Sequence, residues 1–359
     1  MHPRLVRARW RRFVASRLVA RRTRAAAVVG ATAVLCLLAA YALLARRSPA
    51  QLHPPRARRE ALTAEDASAI FGVGIFTAFT DGSFERRDAI FSTWLPSVAR
   101  ARELRLAVRF VVGEPEARSV DAARAFAAQV SPHLVLRLPG VADTYSNLAS
   151  KTAAFIAAAA ALWPKAQYVL KVDDDVFVRP AALPLLAARW RMRSADYVGC
   201  MKSHRMHNNA ALRWAEPREM HLGGGHYFVH SWGSAYALSR RFLDAAAPLC
   251  AAHLLRLFAN EDVSVGAWAL ALDVLLLDER RMCAQSCDEG SGVSLAVWLF
   301  NCTGLCDAPR AMRALHALPA CDDAPLLLHS SPGGATVGDD DDASFFPFAV
   351  LNALGPSER

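Results

Sequence analysis

The stretch that decides the fold is YVLKVDDDVFV, residues 168–178. It begins with an apolar, β-branched run at 168–172 that is long enough for one buried strand. Three carboxylates, Asp173, Asp174 and Asp175, follow where the strand ends, and in open α/β sheets ligands bind outside the carboxyl ends of the strands. Because three adjacent anions repel one another, a positive partner is expected beside them.

A hard divalent cation suits this triplet. Mg²⁺ and Mn²⁺ take oxygen ligands and are typically bound by one or two carboxylates plus the phosphates of a substrate. The pattern therefore predicts a metal-bridged nucleotide site. A solvated acidic turn is the alternative, but the run lies between the apolar residues Val172 and 176–178. An EF-hand is not indicated, because no Gly and no distal Glu fall at the spacing of its loop.

The positive charge of the chain is confined to its start. The formal net charge is +9, but residues 1–59 contain fourteen Arg, no Lys and no acidic residue. The remainder carries 28 of the 42 Lys and Arg against all 33 Asp and Glu, a balance of −5. The basicity belongs to the N-terminal tail, so it gives no reason to expect a nucleic-acid-binding domain.

Residues 25–45 form an uncharged apolar run that is long enough to cross a bilayer as a helix. A secretory signal peptide would have a shorter apolar core, and an organelle transit peptide would be amphipathic. Nine Arg precede the run, so the positive-inside rule predicts a cytosolic tail at 1–24 and a lumenal position for the rest of the chain. Residues 46–69 are predicted to be a stem, whose Pro and Arg favour an extended chain at 51–59.

From residue 70 to about 280 predicted strands alternate with Ala-rich helical stretches. This order indicates a mostly parallel sheet with helices on both faces. The strands are predicted at 70–77, 106–113, 134–138, 168–172 and 197–202, and the helices at 119–129 and 148–162.

Further along, residues 227–239 are apolar around Gly233, which would let the backbone approach a ligand closely. An ordinary glycine turn between two strands fits the same spacing. Glu261 and Asp262 then open a helical stretch, where the helix dipole favours carboxylates. A plain N-terminal cap is a serious alternative function for Asp262.

Taken together, residues from about 70 to 321 resemble the β-1,3-galactosyltransferase family, family 31 of the glycosyltransferases, and especially its plant and algal branch. The matching segments occur in family order at family-like spacing. They are RRDAIFSTW, RFVVG, the Asp143/Tyr145/Asn147/Lys151 block, KVDDDVFV, YVGCMKS, HYFVHSWGSAYALS, NEDVSVGAW and LDERRMC. One difference is visible, since the family often has a second Arg in the first segment where this chain has Phe91.

The resemblance implies a type II Golgi membrane protein with a GT-A fold that uses a nucleotide sugar and Mn²⁺ and inverts the anomeric centre. We expect Asp175 and Asp173 to bind the metal, with His329 as a further candidate ligand, although a surface His at a strand end is the simpler interpretation of that residue. Asp174 is expected to contact the donor. The other predicted donor-binding residues are Arg87, Lys151 and Asp143.

The resemblance places Asp262 as the general base of the transfer. A base is needed because the acceptor hydroxyl must lose a proton as it attacks. Glu261, Gly233 and Tyr236 are expected on the acceptor side.

Seven cysteines follow the apolar span: Cys200, Cys250, Cys283, Cys287, Cys302, Cys306 and Cys321. Those at 283–306 have a spacing that would also suit zinc. The predicted lumenal position favours disulfides instead, as does the likeness of residues 281–321 to the cysteine-rich C-terminal piece of the plant branch. Cys200, at the end of a predicted buried strand, is the candidate for the odd free thiol. Residues 322–359 are interpreted as a C-terminal tail.

The resemblance therefore implies an inverting, Mn²⁺-dependent enzyme that moves galactose from UDP-galactose to a glycoprotein or proteoglycan glycan. Transfer to hydroxyproline, or transfer of N-acetylglucosamine in a β-1,3 linkage, is the alternative within the enzyme class. A catalytically inactive, membrane-anchored lectin-like protein is the alternative of another class. The complete Asp triplet together with Glu261 and Asp262 favours an enzyme over that alternative.

Overall fold

The structure is a computed structural model that describes residues 63–321 except 208, 210, 213, 218–224 and 288–293. The predicted tail, apolar span and most of the stem, as well as His329 and residues 322–359, lie outside the described residues. Within the described part of the chain, no helix is both long enough and apolar enough to cross a membrane.

The described residues alternate between strands and helices in the predicted order. The strands are β1 (Phe71–Phe76), β2 (Leu106–Glu114), β3 (Val135–Ala142), β4 (Tyr168–Asp173), β5 (Phe177–Val178), β6 (Tyr197–Lys202), β7 (His230–Ser239), β8 (Leu276–Asp278) and β9 (Ala296–Val297). The helices are α1 (Ala64–Ser68), α2 (Asp81–Ser92), α3 (Val98–Leu104), α4 (Val120–Gln129), α5 (Leu148–Leu162), α6 (Leu183–Met192), α7 (Arg240–Ala251), α8 (Glu261–Ala271) and α9 (Ala308–His316).

Seven strands form the main sheet, in the order β3-β2-β1-β4-β7-β6-β8. The pairs β2–β3, β1–β2, β1–β4 and β6–β8 are parallel, whereas β7 runs antiparallel to both β4 and β6. The predicted mixed α/β architecture with a mostly parallel sheet is therefore confirmed. Gly233 lies inside β7, so the alternative of a glycine turn at this point is wrong.

The sheet is covered by helices on both faces, as predicted. Side chains of β4 alternate between the two sides of the sheet, as strand geometry requires. Leu170 and Val172 join the apolar cluster that contains residues of α2, α4 and α6, while Val169 joins the cluster that contains residues of α5, α7 and α8. Both faces of β4 are therefore buried, and the Asp triplet begins at the carboxyl end of this buried strand.

The folded domain includes residues N-terminal to position 70. Helix α1 lies within the range assigned to the stem, and Thr63 caps it by accepting a hydrogen bond from the backbone N–H of Asp66. The buried Asp66 carboxylate pairs with Arg109 and accepts a hydrogen bond from Trp163 Nε1 at 2.9 Å. These contacts join α1 to β2 and to the end of α5.

Disulfides connect the cysteine-rich piece to the sheet. They join Cys200 to Cys283, Cys287 to Cys321 and Cys302 to Cys306. The prediction of disulfides rather than zinc is confirmed for the five cysteines of the 283–321 block, but the expectation that Cys200 is the free thiol is wrong. Buried Cys250, on α7, is the free cysteine of the described residues.

The error at Cys200 has a topological cause. Cys200 lies on β6, which pairs in parallel with β8. Directly after β8 the chain continues beside β6. The backbone N–H of Glu279 donates to the Gly199 carbonyl at 2.8 Å, so the segment that carries Cys283 lies alongside β6. A buried strand position in the sequence does not reveal that neighbour.

Candidate active site

The first two carboxylates of the triplet are held by partners from β4, from α2 and from Thr77, the residue that follows β1. Lys171 Nζ donates to Asp173 Oδ1 at 2.6 Å. Asp174 is buried and accepts hydrogen bonds from Thr77 Oγ1 and Arg86 Nε, both at 2.6 Å. Two of these donors are cations, so the repulsion within the triplet is partly offset by the protein itself. The positive partner expected from the sequence is therefore present for Asp173 and Asp174.

Asp175 differs from its two neighbours because its Oδ1 atom is buried without a hydrogen-bond partner among the described residues. Burial, and then the nearby charges of Asp173 and Asp174, raise the pKa of Asp175 to about 8. Its backbone is fixed, since the N–H of Leu305 donates to the Asp175 carbonyl at 2.8 Å. Gly304 lies against the carboxylate, and a Cβ atom there would overlap it. An unpartnered, desolvated carboxylate oxygen is a group that a cation would stabilise.

A metal at this position would need ligands beyond the side chains that the structure describes. Within the described ranges no group of three or more His, Cys, Asp and Glu side chains is arranged to hold an ion by itself. This fits a cation that is bound by one or two carboxylates and completed by substrate phosphates. His329, the further predicted ligand, lies outside the described residues.

Two of the predicted donor-binding residues form one buried pair. Lys151 Nζ, on α5, donates to Asp143 Oδ1 at 2.8 Å and to the Thr77 carbonyl at 2.7 Å. Asp143 Oδ2 accepts from the backbone N–H of Gly113 at 3.1 Å. Burial lowers the pKa of Lys151, and the Asp143 carboxylate opposes that effect. The pair fixes the Lys151 ammonium group beside Thr77, with the Asp143 carboxylate balancing its charge.

Arg87, the remaining predicted donor contact, points into the protein. Its guanidinium donates to Thr77 Oγ1 and the Ala78 carbonyl, both at 2.8 Å, and to Gln129 Oε1 at 2.8 Å. Burial lowers its pKa to about 10. Arg86, which sequence reasoning missed, is the arginine that contacts the triplet. Successive helical residues point about 100° apart, and here Arg86 contacts Asp174 directly whereas Arg87 reaches it only through Thr77.

Phe91 occupies the position where the family often has a second arginine. The half-buried ring packs on Phe110 of β2, with ring centroids 5.2 Å apart. This position is part of the apolar packing between α2 and the sheet.

Glu261 and Tyr236, both predicted on the acceptor side, are buried against each other. The Tyr236 hydroxyl donates to Glu261 Oε1, which also accepts from Thr152 Oγ1 at 3.0 Å. Glu261 Oε2 lies 3.9 Å from Lys171 Nζ. Burial raises the pKa of Glu261 to about 7. A buried polar network therefore connects β4, β7, α5 and the start of α8 through four side chains, those of Lys171, Tyr236, Thr152 and Glu261.

Gly233 is the point where β7 and α8 approach each other. A Cβ atom at this position would lie 3.2 Å from Glu261 Oε2 and 3.6 Å from Asp262 Cβ. The Gly233 carbonyl also accepts a hydrogen bond from Lys171. Gly233 thus packs closely against the two carboxylates of α8, and its expected approach to a ligand stays a prediction.

Asp262 is the second residue of α8, and Asn260 occupies the N-cap position. The Oδ1 atom of Asp262 accepts a hydrogen bond from the Val263 N–H at 2.9 Å, and the Oδ2 atom of Asp262 lies 2.8 Å from Lys202 Nζ. Burial alone would raise the pKa of Asp262, but the Lys202 ammonium has the opposite effect and the pKa lies below its usual value. The carboxylate is ionised and oriented, as a proton acceptor must be.

Two residues beside Asp262 were not predicted. Lys202 Nζ lies 3.8 Å from the centroid of the Trp232 ring. His230 Nδ1 is hydrogen-bonded to the Phe228 carbonyl at 2.8 Å, so Nδ1 carries the proton and Nε2 is left 3.9 Å from Asp262 Oδ2. Lys202 and His230 face each other across β6 and β7. Sequence reasoning placed β6 but described residues 227–239 only as an apolar stretch, and it gave no signal that the two segments pair.

Comparison with known proteins identifies the family. The galactosyltransferase family model matches residues 85–280. The chain belongs to the galactosyltransferase family. Two Arabidopsis thaliana relatives support this. "Probable beta-1,3-galactosyltransferase 13" is 38% identical over 71% of this chain and 73% of the relative. "Probable beta-1,3-galactosyltransferase 12" is 37% identical over 71% of this chain and 68% of the relative.

Among solved structures, mouse xyloside xylosyltransferase 1 in its apo form aligns over 67% of this chain and 99% of that chain, with 11% identity and a TM-score of 0.33. A likeness at that level supports no conclusion about function.

Membership of the galactosyltransferase family confirms the resemblance found in the sequence and shows that the protein is a glycosyltransferase. The family implies a nucleotide-sugar donor and a glycan acceptor. The matched range contains the Asp triplet, Arg86, Lys202 and Asp262 but ends before Cys283. The loop that carries Gly304 therefore lies outside the matched range, although it contacts the Asp175 carboxylate.

Proposed function

We propose that this galactosyltransferase-family protein is an inverting, Mn²⁺-dependent β-1,3-galactosyltransferase with a GT-A fold. It transfers galactose from UDP-galactose to a glycan of a glycoprotein or proteoglycan. The observation that carries the proposal is the buried Oδ1 atom of Asp175, which has no partner among the described residues and lies at the carboxyl end of β4. An ionised carboxylate in that position needs a cation, and a UDP-sugar site needs one to neutralise its diphosphate.

Asp175 and Asp173 would hold the Mn²⁺ ion, with His329 as a further candidate ligand. When bound, the metal would supply Lewis-acid stabilisation of the charge that develops on the leaving diphosphate. Asp174 is already occupied by Thr77 and Arg86, so its role is to fix the triplet and to place the Arg86 guanidinium beside it. Lys151 and Arg86 contribute fixed positive charge on the donor side, where a nucleotide diphosphate is recognised.

Asp262 would act as the general base. The acceptor hydroxyl oxygen forms a bond to the anomeric carbon while the bond from that carbon to the UDP oxygen breaks, and UDP leaves with the electron pair. The hydroxyl proton passes to the Asp262 carboxylate. Oδ1 and Oδ2 each accept one hydrogen bond, from Val263 and Lys202. Because an ionised carboxylate offers about four lone-pair sites, acceptor sites remain for the incoming hydroxyl.

The decisive test is turnover by the purified full-length chain in detergent. UDP-galactose, UDP-N-acetylglucosamine and UDP-glucose are offered with a panel of glycan and hydroxyproline-peptide acceptors, with Mn²⁺ or with a chelator. Metal-dependent formation of a β-1,3-galactosyl linkage, established by linkage analysis of the product, supports the proposal. Transfer of N-acetylglucosamine, or galactosylation of hydroxyproline, supports the corresponding alternative. Glycan binding without turnover of any donor supports the lectin-like alternative.

We further propose that the protein is a single-pass type II Golgi membrane protein whose catalytic domain is lumenal. The basis is the Arg-rich stretch before the apolar run at 25–45. In sealed vesicles a C-terminal tag should be protected from protease until detergent is added. Digestion of the tag in intact vesicles would contradict this topology.

A further inference from the structure

We propose that Lys202 is a positioning residue that keeps the Asp262 carboxylate ionised and correctly oriented, and that the Trp232 ring fixes Lys202 in this role. The inference rests on the proposed function, because it assigns a role in the step for which Asp262 is the base. It gives a purpose to a lysine and a tryptophan that have no other place in the proposed transfer.

The contacts of Lys202 place its ammonium group between a carboxylate and an aromatic face. Lys202 is the last residue of β6, and its Nζ atom lies 2.8 Å from Asp262 Oδ2 and 3.8 Å from the centroid of the Trp232 ring. The Lys202 and Asp262 side chains are each 15% exposed, so solvent screens the pair only weakly. A cation over the face of an indole is attracted by the quadrupole of the ring.

The Trp232 ring is itself held in place. Its centroid lies 5.7 Å from that of Trp298 and 5.4 Å from that of Phe300. Trp298 is fully buried, and its Nε1 atom donates to the Met282 carbonyl at 2.8 Å. The aromatic cluster of Trp232, Trp298 and Phe300 therefore provides a rigid ring face against which the Lys202 ammonium group packs. A lysine on an open surface would lose much more rotamer freedom on pairing with a carboxylate.

The other charged or titratable groups around Asp262 do not substitute for Lys202. They are Glu261 on the same helix, Lys171 on β4, Tyr197 on β6, His230 on β7, and His207 and Tyr227 on the segment between β6 and β7. Burial lowers the pKa of His230 to about 4, so this imidazole is neutral near pH 6. The Lys171 ammonium is occupied by Asp173 and the Gly233 carbonyl. Among the described residues, Lys202 is the cation that reaches hydrogen-bond distance of Asp262.

This arrangement has a chemical consequence for the base. A buried carboxylate without a cation would take up a proton more readily, because burial disfavours its charged form. The base would then be protonated, and inactive, over part of the acidic range. With Lys202 in place, Asp262 stays ionised, and Lys202 and the Val263 N–H fix the plane in which its free lone pairs meet the acceptor.

The test is the pH dependence of galactose transfer from UDP-galactose to p-nitrophenyl β-galactoside by the full-length protein with Mn²⁺. The variants are Lys202→Met, Lys202→Gln and Lys202→Arg, together with Asp262→Asn. Lys165→Met is the matched control, because exposed Lys165 precedes β4 at the end of the strand opposite the triplet. KM for UDP-galactose and the melting temperature of each variant are measured alongside kcat.

We expect the acidic limb of the kcat profile to move to higher pH in both neutral variants, by about one pH unit or more. Lys202→Arg should restore the wild-type limb, and Lys165→Met should retain it. KM for UDP-galactose should change little, because the donor contacts lie elsewhere. A purely structural loss would instead lower kcat by the same factor at every pH. The two neutral substitutions differ in polarity, so one can fold where the other does not.

Two outcomes separate this inference from the function on which it rests. A wild-type chain that is inactive on p-nitrophenyl β-galactoside and on every acceptor of the panel above overturns the proposed function. An Asp262→Asn variant of full activity overturns the role of Asp262 as base. Either result overturns this inference as well. Wild-type activity that Asp262→Asn removes, combined with a folded Lys202→Met or Lys202→Gln variant whose acidic limb matches the wild type, overturns this inference alone.

Discussion

Gly304 packs directly against the carboxylate of Asp175, so closely that a Cβ atom at residue 304 would overlap the carboxyl carbon. The loop that carries Gly304 is closed by the Cys302–Cys306 disulfide. It is also tied to the sheet, since Ser234 Oγ on β7 donates to the Thr303 carbonyl at 2.9 Å. The cysteine-rich piece thus forms one wall of the proposed metal site.

The contact between Gly304 and Asp175 predicts what a single added methyl group at position 304 would do. Gly304→Ala should displace the Asp175 carboxylate without removing it, and should weaken Mn²⁺-dependent UDP binding by on the order of tenfold. Titration of UDP by calorimetry, with and without Mn²⁺, measures this, and the melting temperature reports on folding. Unchanged affinity in the variant would show that the loop yields to the methyl group and does not position Asp175.

Removal of the ligand itself should have a larger effect. Asp175→Asn replaces a hard anionic oxygen by a neutral amide in a site with few protein ligands, so metal-dependent UDP binding should be abolished. Asp121→Asn, at a fully solvated carboxylate on α4, is the matched control and should bind as the wild type does. If Asp175→Asn kept its Mn²⁺-dependent affinity for UDP, Asp175 would not be a metal ligand.

Glu261 should make stability depend on pH. In the folded protein burial raises its pKa to about 7, whereas the unfolded chain ionises near its ordinary value of 4.5. Between these values the folded state binds more protons than the unfolded state, so the contribution of this residue to stability falls as pH rises from about 4.5 to about 7.

Glu261→Gln cannot titrate and should lack this slope. Across that pH range the free energy of unfolding of the wild type should therefore fall relative to that of the variant, by on the order of 3 kcal/mol. Urea unfolding of both proteins at several pH values provides the comparison. Parallel curves for the two proteins would mean that Glu261 is ionised in the folded state throughout the range.

The central strand and the triplet could be predicted because both are local in the sequence. An apolar β-branched run followed by three acids indicates a buried strand with a ligand site at its end wherever the strand lies in the sheet. Alternation of strands and helices likewise indicates parallel pairing. The direction of β7 could not be predicted in this way, because an apolar strand between two neighbours has the same composition in either direction.

The parts of the site that depend on strand pairing were missed for the same reason. Lys202 reaches Asp262 only because β6 pairs antiparallel with β7, which brings Lys202 opposite His230. The partner of Cys200 depends on the parallel pairing of β6 with β8. Arg86 was missed for a different reason, since its contact depends on which of two adjacent arginines the rotation of α2 turns toward Asp174.

The last prediction concerns Asp262. As the general base it must be ionised and must accept a proton from the acceptor hydroxyl on the side of the sugar away from the leaving UDP. As a structural residue it would only stabilise the first turn of α8, where its Oδ1 atom accepts from the Val263 N–H. The side-chain oxygen of Asn can accept the same hydrogen bond from the Val263 N–H, whereas the neutral amide cannot take up the proton. Asp262→Asn therefore separates the two roles.

As a base, the Asp262→Asn variant should fold and bind UDP with Mn²⁺ as the wild type does, while kcat for galactose transfer falls by roughly 10²-fold or more. Asp244→Asn, at an exposed carboxylate on α7, is the control for the loss of an acidic side chain. The comparison uses kcat at saturating acceptor, UDP affinity by calorimetry and the melting temperature of each protein. If Asp262→Asn transfers galactose at nearly the wild-type rate, Asp262 serves only to stabilise the start of α8, and another residue must accept the proton.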